Sequence, residues 1–192
     1  MAIKIYIDQG HNPNPPNTGA EGNGYREQDI TYEVGIRLAQ LLRQNGNFDV
    51  RLSRPTRQTQ LGFSNASSLR ERVDDANNWG ADYFISIHTN ASVQSSANGT
   101  EVLVYRIPST SAALADDVLT SLVELTGLAN RGVKERPGLY VLRKTTMPAI
   151  LVEMGFISSV KDRARLSNKT AREKMALGIY NGIVNYTKKE LK

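Results

Sequence analysis

The stretch ADYFISIHTNA, residues 81–91, is a short apolar run that ends on one of only two histidines in the protein. A run of this length behind Gly80 predicts a buried strand over residues 82–87. The other histidine, His11, stands just past a second apolar segment, in which Ile3, Ile5 and Ile7 alternate with Lys4, Tyr6 and Asp8 before Gly10. That alternation is also a strand signal. Two strands that each finish at an imidazole direct both rings to the same edge of one sheet.

The remaining chain alternates in type. Glu27-Gln-Asp29 opens a helix with Ile30, Val34, Leu38 and Leu41 or Leu42 on one face, closed by Gly46. Residues 49–53 read as a strand. Ser68-Leu-Arg-Glu71 has the form of a capping box and predicts a helix with Leu69, Val73 and Ala76 inward, ending near Gly80. After the Asn98-Gly99 turn, residues 100–106 read as a strand. Residues 111–126 read as a helix with Leu114, Val118, Leu122 and Leu125 inward, stopped by Gly127. Residues 130–138 form a polar loop carrying Arg131, Lys134 and Arg136, and residues 139–143 are expected to be a strand.

The nearly continuous apolar run 149–152, behind Pro148, suits a strand buried on both faces and ends at Glu153. Thr170-Ala-Arg-Glu173 is a second capping box, opening a last helix with Met175, Ile179, Ile183 and Tyr186 inward and a basic end of Lys188, Lys189 and Lys192. The pattern predicts an α/β fold, with a mostly parallel sheet and helices on both faces. No linker, repeat or low-complexity segment interrupts it, so residues 1–192 are read as a single domain.

Composition narrows the function. No apolar run approaches the ~18 residues of a membrane span. The absence of cysteine excludes disulfides and thiolate metal sites. The net charge of +5 is modest, and without a basic run interleaved with aromatics it gives no case for nucleic acid. MAIKIYID lacks the parts of a signal peptide, so the chain is expected to be made in the cytoplasm or to be a fragment of a secreted protein. A monomer is expected.

In open α/β sheets, ligands bind beyond the carboxyl ends of the strands. His11, His88 and Glu153 each fall at or near such an end. Glu27 begins the helix after the first strand's loop, on the same edge. Two imidazoles and a carboxylate make a catalytic zinc site with a position left for water, and a further carboxylate serves as base. Spacing alone does not decide which glutamate takes which role. Glu27 would also be favoured in a first helical turn by the dipole alone. Asp8 is read either as an outer-sphere partner of an imidazole or as a solvated strand end, and Asn90 as a substrate contact or a turn cap.

IDQGHN at residues 7–12, the downstream Glu27, ISIHTNA at 85–91, TGLANRGVK at 126–134 and LYVLRKTTMPAILVE at 139–153, continuing LVEMGFIS to 158, run in order over nearly the whole chain. Together they resemble the zinc-dependent N-acetylmuramoyl-L-alanine amidases, which cleave peptidoglycan. The resemblance implies His11, Glu27 and His88 as ligands of one Zn2+ and Glu153 as the catalytic residue. It also implies a mixed, twisted sheet of about six strands flanked by helices, and hydrolysis of the amide between the lactyl group of N-acetylmuramic acid and L-alanine of the stem peptide.

Gln9 replaces a usual proline, and Asn12-Pro13 a glycine-rich turn. The ligand is kept, so these changes bear on the loop's shape and on which stem peptides fit. No long insertion separates the strands, so an open cleft is expected. The loop with Arg131 and Lys134 is placed to meet stem-peptide carboxylates, or is simply a charged surface. The alternatives are another zinc peptidase acting within stem peptides and a non-catalytic wall-binding module. Phage lysin, sporulation enzyme and autolysin are all compatible settings.

Overall fold

In the computed structural model, which describes residues 2–94 and 96–190, strands and helices alternate as the pattern requires. From the N-terminus come β1 (Ile3–Gln9), a small ribbon of β2 (Glu21–Gly22) and β3 (Tyr25–Arg26), α1 (Glu27–Asn45), β4 (Phe48–Leu52), α2 (Asn65–Trp79) and β5 (Tyr83–Asn90). Then follow β6 (Thr100–Val104), α3 (Thr110–Thr126), β7 (Asn130–Glu135), α4 (Tyr140–Lys144), β8 (Ala149–Phe156), α5 (Val160–Leu166) and α6 (Lys169–Glu190). Lys192, read as part of the last helix's basic end, lies outside the described residues.

The large sheet has six strands in the order β4-β1-β5-β8-β6-β7. Every neighbouring pair is parallel except β6 against β8. One face presents Ile5, Ile7, Ile85, Ile87, Ile150, Val152, Val102 and Val104 to a core shared with α1, α3 and α6. The other presents Tyr6, Phe84, Leu103 and Leu151 to the apolar stripes of α2 and the short α4. Tyr6 stacks on Phe84 with ring centroids 5.5 Å apart, and its hydroxyl donates to Asp75 Oδ2 at 2.9 Å. β1 thus alternates as expected, but its polar phase, Tyr6 and Asp8, is buried too.

Several boundaries differ from the sequence reading, each for a local reason. α2 starts one turn earlier than Ser68. Ser64 is the cap: its Oγ accepts from Ser67 N at 3.1 Å, while Ser67 Oγ accepts from Ser64 N at 2.9 Å. Glu71 instead accepts the Gly62 N–H at 2.7 Å. Asn168, not Thr170, caps α6 through its bond from Ala171 N, 3.0 Å. Residues 139–143 are helical rather than extended; Val141 and Leu142 are both buried against the sheet from a single turn, which an apolar run of this length permits. Residues 130–135 are an edge strand, β7, whose polarity reflects its place at the rim of the sheet. β5 and β8 both run past the expected ends, so His88 and Glu153 lie within strands.

α6 packs unusually close to α3. A Cβ built on Gly182 would lie 2.3 Å from Val118 Cα, and one on Gly178 would lie 2.7 Å from Leu122 Cα. Backbone cannot yield as a flexible side chain can. Gly182→Ala is therefore expected to destabilise by about 1–3 kcal/mol even though alanine favours a helix interior by ~1 kcal/mol. Thermal unfolding should register this as a fall of about 2–12 °C; an unchanged or higher midpoint would refute the close packing.

Candidate metal centre

His88 and Glu153 belong to the α2/α4 face of the sheet, at the end those two helices leave uncovered. Glu153 on β8 is in register with His88 on β5 and with Glu101 on β6, so the three side chains point the same way across adjacent strands. His88 lies over Gly10: a Cβ at that position would come within 2.4 Å of the imidazole Cε1. Glycine before His11 is therefore what lets the two histidines close on one another.

His11 adopts a left-handed backbone conformation, with φ 68°, which a β-carbon ordinarily opposes. Two guanidinium groups hold it there. Arg72 Nη2 donates to the His11 carbonyl at 2.8 Å and Arg54 Nη1 at 3.3 Å. Arg72 is itself anchored by Asp8 Oδ1 at 2.5 Å and the Gln9 carbonyl at 2.8 Å. The second Asp8 oxygen accepts from Ser86 Oγ at 2.7 Å. Asp8 is thus not solvated, and its hydrogen bonds go to Arg72 and Ser86; it fixes the arginine that fixes His11. Burial works against its ionised form, but Arg72, His88 and Ser86 keep its carboxyl below the usual carboxylate range. Burial, and then the charge of Arg72, lower Arg54 to about 10, so it stays cationic at neutral pH.

Gln9, the departure from proline, supports the same scaffold. Its side chain is fully buried, accepting from Arg54 N at 2.9 Å and donating to Arg54 O at 3.0 Å. Asn12 ties the following loop to residue 61 in both directions, donating to Leu61 O at 2.8 Å and accepting from Leu61 N at 3.2 Å.

Glu27, the first residue of α1, reaches between the histidines. Its Oε2 faces His11 Nε2 at 3.2 Å and its Oε1 faces His88 Nδ1 at 3.0 Å. Backbone N–H groups of Ala20 (3.0 Å) and Thr89 (2.9 Å) donate to the same two oxygens. Burial would raise its pKa, but the hydrogen bonds with His11 and His88 outweigh that and hold it well below the usual range. The two imidazoles lie edge to face with centroids 4.9 Å apart.

One ligand-capable atom from each of His11, Glu27 and His88 falls within 4.8 Å of the others. The donor set is two nitrogens and one oxygen, the composition of a catalytic zinc site. His11 Nδ1 and Glu153 Oε2 are buried with no hydrogen-bond partner among the described residues, as polar atoms beside a ligand site would be. The residues therefore fit a divalent metal. His11 and His88 keep 21% and 18% of their side-chain surface exposed, so the centre can be reached from solvent, as an open cleft requires.

Burial first, then the charges of Glu27 and Glu101, push Glu153 well above the ordinary glutamate value. Arg131 and Lys134 are not a free loop: Arg131 Nε and Lys134 Nζ both bind Glu101 Oε2, at 2.7 and 2.6 Å. Asn90 donates to Glu101 Oε1 at 3.2 Å and also accepts the Ala91 N–H at 2.8 Å, so it both caps the turn and braces the floor. Arg54, Arg72 and Glu101 had no signal in the sequence; each reads there as an ordinary charged residue. Beside His11 and His88 a recess of about 110 Å³ opens between Leu69, Leu139, Val141 and Leu151. A larger hollow of about 550 Å³, lined by Glu33, Arg37, Arg172 and Glu173, lies at α1 and α6 on the other side of the sheet.

A parallel-rich α/β sheet with a two-histidine, one-glutamate cluster at its open edge defines a protein of the metal-dependent hydrolase class. The model of the N-acetylmuramoyl-L-alanine amidase family matches residues 5–185, and the chain belongs to that family. It is 34% identical over 183 residues to the N-acetylmuramoyl-L-alanine amidase CwlM of Bacillus licheniformis, covering 94% of this chain and 67% of that protein. Identity is also 34%, over 185 residues, to the sporulation-specific N-acetylmuramoyl-L-alanine amidase of Bacillus subtilis, with 94% and 67% covered. The catalytic domain of CwlV, an N-acetylmuramoyl-L-alanine amidase from Bacillus (Paenibacillus) polymyxa var. colistinus, superposes with a TM-score of 0.85 at 34% identity. That match covers 97% of this chain and 98% of the other.

Proposed function

We propose that the chain is a zinc-dependent peptidoglycan amidase, cutting the amide between the lactyl group of N-acetylmuramic acid and the L-alanine of the stem peptide. The observation that carries this is the meeting of His11, Glu27 and His88 within 4.8 Å on a chain of this family, with Glu153 in register beside His88. His11, Glu27 and His88 would hold the ion. Zinc bound there supplies Lewis acidity to the scissile carbonyl and to water.

The protein's own groups do the rest. Glu27 stays ionised, as a metal-holding carboxylate must. Arg72 and Arg54 fix the His11 backbone, so its ring needs no reorganisation. Glu153 takes the proton from the attacking water and returns it to the departing alanine nitrogen. Its neighbours favour that exchange, because burial and two adjacent carboxylates raise its proton affinity while a bound cation acts in the opposite sense. All four residues come from one chain, which suits a monomer.

Purified protein should carry about one zinc per chain. Lysis of isolated walls should fall at least about tenfold on chelation and return with added zinc. The products should bear a free lactyl carboxylate and a free L-alanine amine. Cleavage inside the stem peptide would instead make it a peptidase, and chelator-insensitive lysis would remove zinc from the mechanism.

A further inference from the structure

The floor of the cleft continues beyond Glu153. Glu101 is its in-register neighbour on β6, and β7 lies one strand further out. Arg131 and Lys134 stand three apart on β7, which in a regular strand sends two side chains to opposite faces. Here the strand is irregular. Thr100 pairs with Asn130 but Val102 pairs with Val133, so β7 carries one extra residue at this point, where Gly132 has φ 84°. Such a bulge re-aims side chains. Its result is that both cations reach the same Glu101 oxygen.

Two positive charges on one buried carboxylate leave an excess of one. Arg131 and Lys134 keep 34% and 30% of their side-chain surface exposed, so that excess faces solvent beside the cleft. Arg131 is further steadied by Asn98 O at 3.2 Å and by the Phe156 ring, 4.9 Å from its guanidinium carbon. Neighbouring strands lie ~4.8 Å apart, which puts β7 about 10 Å from β8. An extended peptide advances ~3.3 Å per residue, so about three residues cover that distance.

Resting on the amidase reading, we propose that Arg131 and Lys134 determine specificity by taking a substrate carboxylate two to three residues from the scissile amide. The stem peptide then runs from Glu153 across β6 to β7, and the sugar lies toward β1 and the loop after His11.

Two synthetic muramoyl-tripeptides test this, differing only in whether the carboxylates of the second and third residues are free or amidated. The zinc-loaded protein should favour the free acid by about tenfold or more in kcat/KM, as for a hydrogen bond to a charged group. Lys134→Gln keeps a donor for Glu101, and Arg131→Gln removes the second cation. Each should shrink the preference toward unity while the unfolding temperature holds. Equal rates on the two substrates with the unaltered protein would overturn the inference alone. So would equal losses on both substrates in the variants, which would leave the pair as anchors for an anionic wall. Cleavage of neither substrate by the unaltered protein would overturn the amidase reading, and this inference with it.

Discussion

Glu153→Gln is expected to slow amide hydrolysis by about 10²–10⁴-fold, the range for losing a positioned proton-transfer group. The glutamine keeps the shape of the side chain and its place on β8, but it can neither accept a proton from water nor return one to the leaving nitrogen. The loss should fall on kcat rather than KM, because the interaction is made in the transition state. Metal content should stay at the unaltered level, since His11, Glu27 and His88 are untouched. Stability should hold or rise: Glu153 Oε2 is buried without a hydrogen-bond partner among the described residues and stands beside Glu27 and Glu101, so a side chain that cannot ionise relieves that cluster. Single-turnover rates on a muramoyl-peptide, with metal analysis and thermal unfolding of the same preparation, give all three readings. Retention of more than a tenth of the rate would dismiss Glu153 as the proton carrier.

Arg72→Leu is expected to destabilise the fold by about 3–5 kcal/mol, because it strands the buried charge of Asp8. For a domain of this size that is a fall in unfolding temperature of about 6–20 °C. Asp8 and Arg72 side chains are 2% and 1% exposed, so water cannot replace the lost partner. The deficit should depend on pH. With Arg72 present the folded Asp8 carboxyl is depressed, so its contribution exists above the unfolded value, ~3.9, and is lost as pH falls through the folded one. Without Arg72, burial raises the carboxyl instead, and protonation relieves the variant as pH falls. The gap between the two proteins should therefore narrow from neutral pH toward about pH 4. Apparent zinc affinity should drop as well, by about 10–100-fold, since the His11 carbonyl loses its 2.8 Å donor. Denaturant melts at several pH values and a chelator competition measure both. A pH-independent deficit would mean that the ion pair is not its source.

The meeting of His11, Glu27 and His88, with Glu153 in register beside His88, was legible because the sheet edge where ligands gather follows from the alternation of strands and helices. The framework around them was not. Arg72 sits next to Val73 on the inward stripe of α2, yet from sequence an arginine there reads as solvated; only the depth of Asp8 explains it. Asp8 was placed at the right edge with the wrong partner, because an ion pair between residues 64 apart leaves no local trace. Val141 and Leu142 form too short an apolar run to separate strand from helix. β7 was taken for a loop because its polar sequence lacks the apolar alternation that a half-buried strand shows, and an inserted residue further breaks its period.

The bulged, basic edge has a consequence for solubility. A six-stranded open sheet exposes two rows of unpaired backbone groups, each a template for another copy. β7 meets this with Arg131, Lys134 and Glu135 along a strand of only six residues, while β4, at the opposite margin, is five residues long and turns Asp49 and Arg51 outward. Replacing Arg131 or Lys134 with β-branched residues to strengthen the strand would therefore invite edge-to-edge aggregation.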